Sequence, residues 1–283
     1  MLASPVSPAS RVTAVVPTLG RSPWLVPCLE ALRADGGPSL EIVVVDQGEQ
    51  PLDLPLADRV IRPGKNLGFA AGTNLGIAAS SRELVATVND DALVNPGWTA
   101  KIVEALDRHP WAAAAQGVNI NLLHPGRTDG CGIEWNRWGQ AVQIGHGQPS
   151  PSPSAPPREV WGVSATAAIY RRKALGETPF DPRLVSYYED VELAGRLRAG
   201  GWRALLVPEA RARHAGSATG ATMSRERWTL LYGNRWLVAR GQPFRRMVAR
   251  DLLDLGHALL SGDLAQAVGI PAGWVRALRV RGT

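Results

Sequence analysis

The run L-V-A-T-V-N-D-D-A-L-V, residues 84–94, changes character in its middle. Leu84, Val85 and Val88 belong to a short apolar segment that stops at Asn89, Asp90 and Asp91. A short apolar run of this kind reads as a buried strand. A strand that ends at adjacent carboxylates concentrates negative charge at a sheet edge. Like charges so close repel each other, so the arrangement calls for a counter-charge. A bound divalent cation is the simplest one, and oxygen ligands suit Mg²⁺ or Mn²⁺ rather than zinc. An ion half coordinated by protein can hold a diphosphate. Taken alone, the same letters also read as a polar turn, since Asn and Asp are frequent turn formers.

The sequence before this run supplies the context. V-T-A-V-V-P, residues 12–17, predicts a first strand, with Thr18 to Arg21 as a loop at its C-terminal end. Pro23 suits the first turn of a helix reaching Ala34, with Leu25, Leu29 and Leu32 on one face. E-I-V-V-V-D then reads as a continuous apolar strand ending at Asp46, the pattern of a parallel sheet covered on both faces. Strand, helix and strand in this spacing form a βαβ unit. R-V-I-R, residues 59–62, is a third strand. Asn66, Gly68, Gly72, Asn74 and Gly76 punctuate a helix of small residues that permits close approach of a ligand or another backbone. The stretch matches neither G-x-G-x-x-G nor a Walker lysine pattern, which argues against a dehydrogenase-type dinucleotide fold.

After the run, Asn95-Pro96 starts a helix to Asp107, and residues 112–123 predict a strand. Residues 124–146 are poorly patterned, with Trp135 and Trp138 scattered among turn formers. The Pro/Ser-rich residues 147–157 read either as a solvated linker or as a mobile lid. Residues 158–172 predict one strand with a small-residue centre. Glu189 and Asp190, preceded by Tyr187 and Tyr188, open a helix with Val191, Leu193 and Leu197 on its apolar face, ending at Gly200-Gly201. Acids at a helix N-terminus serve as caps, which leaves the tyrosine pair unexplained. A-L-L-V-P is a further strand, with His214 in a loop beyond it. From Ser224 the chain is helical and basic: Trp228, Leu231, Trp236 and Val238 mix with Arg225, Arg227, Arg235 and Arg240. A second helix and a last short one, W-V-R-A-L-R-V-R, follow. Such helices either lie on anionic lipid or pack on the domain with solvated arginines.

The totals bound these readings. The chain has 283 residues, 45% of them apolar, enough for one large domain or one domain plus an appendage. A net charge of +6, with arginine dense after residue 196, admits nucleic acid, an anionic membrane surface or anionic small molecules as partners. Cys28 and Cys131 have no metal spacing and suggest no disulfide scaffold, so a reducing compartment is expected. The first ten residues lack a charged start and an apolar core, which predicts a flexible tail rather than a signal peptide. The chain has no apolar stretch of about 18 residues that would span a bilayer.

Six segments occur in one order: V-V-P-T, V-V-V-D, N-L-G-F-A-A-G-T-N-L-G, N-D-D, F-D-x-x-L-x-x-Y-Y-E-D-V-E-L-x-x-R and H-x-G-S. Over residues 11–241 this order resembles the inverting family 2 glycosyltransferases, in particular the rhamnosyltransferase-like branch. The resemblance implies an α/β fold of the Rossmann-like, GT-A type: a mainly parallel central sheet flanked by helices, with a C-terminal helical extension. It divides the chain into a tail (1–10), a catalytic domain (11–222) and basic amphipathic helices (223–283). It implies a metal-dependent transfer of a hexose-type sugar, such as rhamnose, from a dTDP- or UDP-type donor to a glycan or lipid-linked acceptor. The implied cofactor is Mn²⁺ or Mg²⁺. The implied location is the cytoplasm, either free or peripheral on the inner face of the membrane through the C-terminal helices, with no nucleic acid as partner.

The resemblance also assigns roles. Pro17, Thr18 and Asp46 fall on the base and ribose side, and Asn66, Gly72 and Asn74 on the nucleotide-cradling stretch. Asn89 and Asp91 occupy the ends of the family's D-x-D pattern. Asn89 can bind a ribose hydroxyl or a metal-bound water, and Asp90 in the variable place can restore the lost charge. Asp91 and His214 resemble the metal ligands. Asp190 matches the general base, and Glu189 positions the acceptor or orients Asp190. Trp161 and Tyr188 fall on the acceptor side. Two departures touch that side: Y-G-N-R, with Asn234 and Arg235, replaces the family's Arg-Asn order, and the Pro/Ser stretch is an insertion. The rival readings are a sugar-nucleotide-forming nucleotidyltransferase, an inactive binding module and a nucleic-acid binder. The first is disfavoured because only Arg21 occupies the loop T-L-G-R-S-P, the second by the intact Asp91, Asp190 and His214. The third lacks any nucleic-acid-binding motif.

Overall fold

The computed structural model describes residues 7–216 and 223–282. Its elements in chain order are β1 (Val12–Thr18), α1 (Leu25–Gly36), β2 (Glu41–Asp46), β3 (Arg59–Ile61), α2 (Gly68–Ala79), β4 (Leu84–Val88), β5 (Ala92–Val94), α3 (Trp98–Arg108), β6 (Ala112–Asn121), β7 (Thr128–Gly130), β8 (Ile133–Trp135), β9 (Ala141–Gln143), β10 (Arg158–Val160), β11 (Ala167–Arg171), α4 (Arg172–Leu175), α5 (Glu189–Ala199), β12 (Arg203–His214), α6 (Arg225–Val238), α7 (Phe244–Ser261) and α8 (Leu264–Arg281).

The main sheet runs β10-β12-β6-β11-β4-β1-β2-β3, with β5 added to β12 and β7 to β6. β1 lies parallel between β2 and β4, and β3 continues the parallel half. The other half is mixed: β11 runs antiparallel between β4 and β6, while β12 pairs parallel with β6. The parallel arrangement predicted from the βαβ unit therefore holds for the first four strands, and β11 turns the remainder into a mixed sheet. β1 shows why the strands read as unbroken apolar runs. Val12, Ala14 and Val16 face a core shared with Leu25, Leu29 and Leu32 of α1 and Ile102 and Leu106 of α3. Val15 faces the opposite core with Ile77 of α2 and Leu193 and Leu197 of α5. Both faces are covered, so both need apolar side chains. α2 reaches its face through Gly76, where a Cβ would lie 2.3 Å from Val15 Cγ1.

Three sequence expectations change. Residues 158–172 form two strands, because the chain leaves β12 after β10, crosses through residues 161–166 and enters the sheet interior as β11. A-L-L-V-P extends to His214 through a register shift between Leu206 and Arg211, an irregularity that accommodates Pro208. His214 therefore ends a strand, opposite Ala92, instead of sitting in a loop. The last helix begins at Leu264 and carries Pro271 inside it. Residues 147–157 join β9 to β10 and are held at the surface: Arg211 Nη2 donates to Pro151 O at 2.6 Å and the Thr128 N–H donates to Gln148 O at 2.8 Å.

The C-terminal helices pack on each other through glycine. A Cβ on Gly273 of α8 would lie 2.8 Å from the Gly233 nitrogen of α6. Beneath that crossing, buried Arg235 pairs with buried Asp251 at 2.6 Å. The indole N–H groups of Trp236 and Trp274 both donate to Asp251 at 2.8 Å. Among the described residues no helix is long and apolar enough to cross a membrane.

Candidate active site

Parallel strands end on the same side, so β1, β2 and β4 bring Thr18, Asp46 and Asn89 to one edge. The strand order reverses between β1 and β4, the position where open α/β sheets bind ligands. At that position Thr18 Oγ1 donates to Asp90 Oδ2 at 2.5 Å and accepts from the Gly20 N–H at 2.9 Å. Burial, only partly offset by the Thr18 hydrogen bond and reinforced by the Asp91 charge, pushes the Asp90 carboxyl up to about 6. Asp91 faces the other way, its Oδ1 3.1 Å from His214 Nε2. His214 Nδ1 lies 2.9 Å from Asp129 Oδ2 on β7. Burial alone would lower the imidazole pKa, but Asp129 and then Asp91 raise it to about 10.

These groups fit a divalent cation. Asp91 oxygen and His214 Nε2 already face each other, and Asn89 Oδ1 is buried with no hydrogen-bond partner. Asp129 holds the far nitrogen of His214, the carboxylate–histidine arrangement that orients metal-ligating imidazoles. Among the described residues no group of three or more His, Cys, Asp or Glu side chains converges as a closed metal cage. A hard cation bound by two protein ligands would complete its shell from phosphate oxygens and water.

The Glu189–Asp190 pair approaches from the opposite side of residues 161–166. The Asn89 N–H donates to Thr166 O at 2.8 Å, and the Ala165 N–H donates to Asp190 Oδ2 at 3.3 Å. A second amide, that of Val191, donates to Asp190 Oδ1 at 2.8 Å. Two N–H donors favour the ionised form of Asp190 against the burial that raises its pKa. Glu189 has only its own backbone N–H. It is 8% exposed, and its Oε2 has no partner. Burial, then the neighbouring Asp190, pushes Glu189 up to about 8. Burial raises both carboxyls of the pair, and Asp190 is the one that two neighbouring backbone amides reach. A buried carboxyl without a partner is a hallmark of functional sites.

The backbone entering this pair is strained. Val185, Tyr187 and Tyr188 have φ of 63°, 70° and 68°, the only non-glycine residues with positive φ among those described. The left-handed region costs an L-residue about 1–2 kcal/mol. Strain concentrated directly before a carboxylate pair is the kind retained at functional sites.

The remaining candidates divide. Asp46 is fully buried, ion-paired with Arg62 at 3.0 Å, and accepts from the Gly48 N–H at 3.0 Å, so it organises the loop beyond β2. Pro17 lies inside β1 opposite Val45. Gly72 lies under Gln47, where a Cβ would meet Nε2 at 2.4 Å, and Gln47 Oε1 accepts from the Leu67 N–H at the start of α2. Asn66 is exposed and accepts from the Gly68 N–H. Asn74 is occupied at both ends by the backbone of Phe180, at 2.7 and 3.0 Å, which makes it a clip between α2 and the segment before α5. Trp161 stacks edge-on against Trp135 and lines a small cavity with Asp190. The Tyr188 phenol lies against the backbone of Ala141 near Arg235 and Asp251, so it packs towards the C-terminal helices. Asp129 escapes sequence reading because residues 124–146 are poorly patterned, and Arg62 because nothing in the strand it ends marks it as the partner of Asp46. Asn234 was visible only as a departure from a motif.

The chain matches the family model described as glycosyl transferase family 2 over residues 13–178. It is 28% identical over 185 residues to the N-acetylglucosaminyl-diphospho-decaprenol L-rhamnosyltransferase of Mycobacterium tuberculosis, in two strains. That match covers 55% of this chain and 58% of the relative, so it spans little more than half the relative's length. Among solved structures, the Pyrobaculum calidifontis mannosyltransferase PcManGT with GDP-Man and Mn²⁺ superposes with a TM-score of 0.56 at 18% identity, over 96% of this chain and 75% of that one. S. aureus TarS with UDP-GlcNAc gives 0.55 at 15% identity, over 96% and 92%. GalNAc-T7 with UDP, GalNAc and Mn²⁺ gives 0.58 at 14%, over 72% and 42%. At these identities the structural likeness shows a shared fold.

Proposed function

The chain belongs to the family 2 glycosyl transferases, and from that premise we propose that it is a metal-dependent inverting enzyme that moves a hexose-type sugar from a nucleoside diphosphate to a lipid-linked glycan. The observation that carries the reading is the pair of opposed groups across residues 161–166: Asp91 with His214 at the ends of the strands, and Asp190 accepting from two backbone amides. In this reading the acceptor hydroxyl attacks the anomeric carbon, the bond to the diphosphate breaks, and Asp190 takes the hydroxyl proton. Glu189 beside it positions the acceptor or orients Asp190. Asp91 and His214 would hold Mn²⁺ or Mg²⁺, which supplies charge stabilisation for the departing diphosphate. Asp46, Arg62 and Gln47 shape the nucleotide side, with Thr18 bridging to Asp90.

The rhamnosyltransferase relative supports rhamnose and a polyprenyl-linked acceptor, and the proposed donor is of the dTDP or UDP type. The exposed apolar residues of α7 and α8 support peripheral contact with an anionic membrane surface: Leu252, Leu253, Leu260, Leu264 and Leu278 are all more than half exposed. Exposed Arg245, Arg246 and Arg279 accompany them, while Asp251 and Asp254 are turned inward. Apolar surface rimmed by arginine complements anionic lipid. The cytoplasmic side fits two free cysteines.

The test is thermal stabilisation by nucleoside diphosphates and their sugars, with and without Mn²⁺. A ligand at 100 times its Kd adds about 2.7 kcal/mol. A Mn²⁺-dependent rise with UDP or dTDP compounds is the expected result. No rise with any nucleotide contradicts the reading.

A further inference from the structure

Asn234 is fully buried in α6 and turned towards the strained backbone that precedes Glu189 and Asp190. Its amide nitrogen donates to the carbonyls of Leu184, Ser186 and Tyr187 at 2.7, 2.9 and 2.8 Å. An amide has two N–H bonds, so three acceptors share two protons, and only a sharply folded turn presents three carbonyls to one point. The amide oxygen is occupied as well. It accepts from Arg276 Nη1 at 2.6 Å, and Arg276 Nη2 donates to Arg183 O at 2.5 Å. The Gly233–Gly273 crossing explains how residues of two helices meet here, since Asn234 follows Gly233 and Arg276 lies three residues beyond Gly273. On its other side the turn is held by α2: the Ala70 N–H donates to Val185 O at 3.0 Å and the Phe69 N–H to Ser186 Oγ at 3.3 Å.

We propose that Asn234 and Arg276 form a positioning pair that holds the left-handed turn 185–188 in place and thereby sets the location of Asp190, so that α6 and α8 complete the active site. In this conformation the carbonyls of Leu184, Ser186 and Tyr187 all reach the Asn234 amide, which offsets the cost of positive φ at Val185, Tyr187 and Tyr188. Released from Asn234, it relaxes, and the first turn of α5 moves with it. The donor side depends on β1, β2, β4 and α2, and keeps its geometry. This proposal rests on Asp190 being the base.

Asn234→Asp keeps the shape but sets an acceptor against three carbonyls. The expected result is a fall in kcat of about 10- to 100-fold with donor KM within about threefold, the signature of a misplaced reacting group. Backbone amides of 184–190 should exchange hydrogen faster, while those of β1 and β4 stay protected. Unchanged kcat in the folded variant, or donor KM rising as much as kcat falls, overturns the proposal. Should Asn234→Asp fail to fold, Arg276→Gln carries the same test at a half-buried site, with the same split expected and unchanged kcat overturning it. The exchange measurement needs no substrate. If the wild-type chain transfers no sugar, the function reading fails, while faster exchange over 184–190 still supports the grip of Asn234 and unchanged exchange removes it.

Discussion

At the scale of single residues, the candidate site is a set of carboxyl groups in unequal surroundings. Glu189 and Asp190 are neighbours in sequence, yet only Asp190 receives backbone amides from Ala165 and Val191. Glu189 is raised from an ordinary 4.5 to about 8 by burial and by Asp190. Between those two values the unfolded chain releases a proton that the folded chain keeps, so stability is present at low pH and is lost as pH rises through about 8. Glu189→Gln should therefore raise Tm relative to wild type by an amount that grows from pH 5 to pH 8; a pH-independent difference would sink the assignment. Asp129 makes a second prediction. If His214 is a metal ligand oriented by Asp129, Asp129→Asn should weaken the Mn²⁺ requirement curve by about 10- to 100-fold. A Mn²⁺ titration of donor stabilisation checks it, and an unshifted midpoint would remove Asp129 from the site. Asp91, Asp190 and His214 are reached through the resemblance, each at a motif position: the N-D-D run, the E-D pair and H-x-G-S. Asp129 could not, since it lies in residues 124–146, where short strands pair without apolar periodicity.

At the scale of elements, close approach governs. α2 lies on β1 at Gly76, where added volume meets Val15. Gly76→Ala should cost about 1–3 kcal/mol by overpacking, seen as a lower Tm; an unchanged Tm would mean that the helix can rise from the sheet freely. The parallel unit β1-α1-β2 and the acidic turn after β4 were legible because strand and helix periods alternate cleanly there. The split of residues 158–172 was not, because no proline or charge breaks W-G-V-S-A-T, residues 161–166, where the chain serves Asn89 and Asp190 with backbone groups instead of side chains. The sequence pattern ends the strand at Pro208 and leaves His214 in a loop, whereas the sheet absorbs the proline in a register shift. Asn74 has a motif position, yet its amide is fully engaged with Phe180. A motif letter does not distinguish a ligand contact from a structural clip.

At the scale of the whole molecule, two bodies of helix and sheet contribute to one edge. The sheet supplies Thr18, Asp90, Asp91 and His214, and the helices after residue 224 reach the turn before Asp190 through Asn234 and Arg276. The outer face of those helices carries Leu253 and Leu260, the latter 92% exposed. A double substitution, Leu253→Glu with Leu260→Glu, should abolish cosedimentation with phosphatidylglycerol vesicles while leaving nucleotide-induced stabilisation unchanged. Equal sedimentation of variant and wild type would end the membrane reading, and a loss of dimer instead would assign the face to a second copy. The central claim is that Asp190 takes the acceptor proton opposite a donor held at Asp91. The most direct measurement is single-turnover sugar transfer by Asp190→Asn, with donor binding followed in the same sample. The account predicts a rate lower by about 10²–10⁴-fold with donor binding intact; transfer within a few-fold of wild type would contradict it.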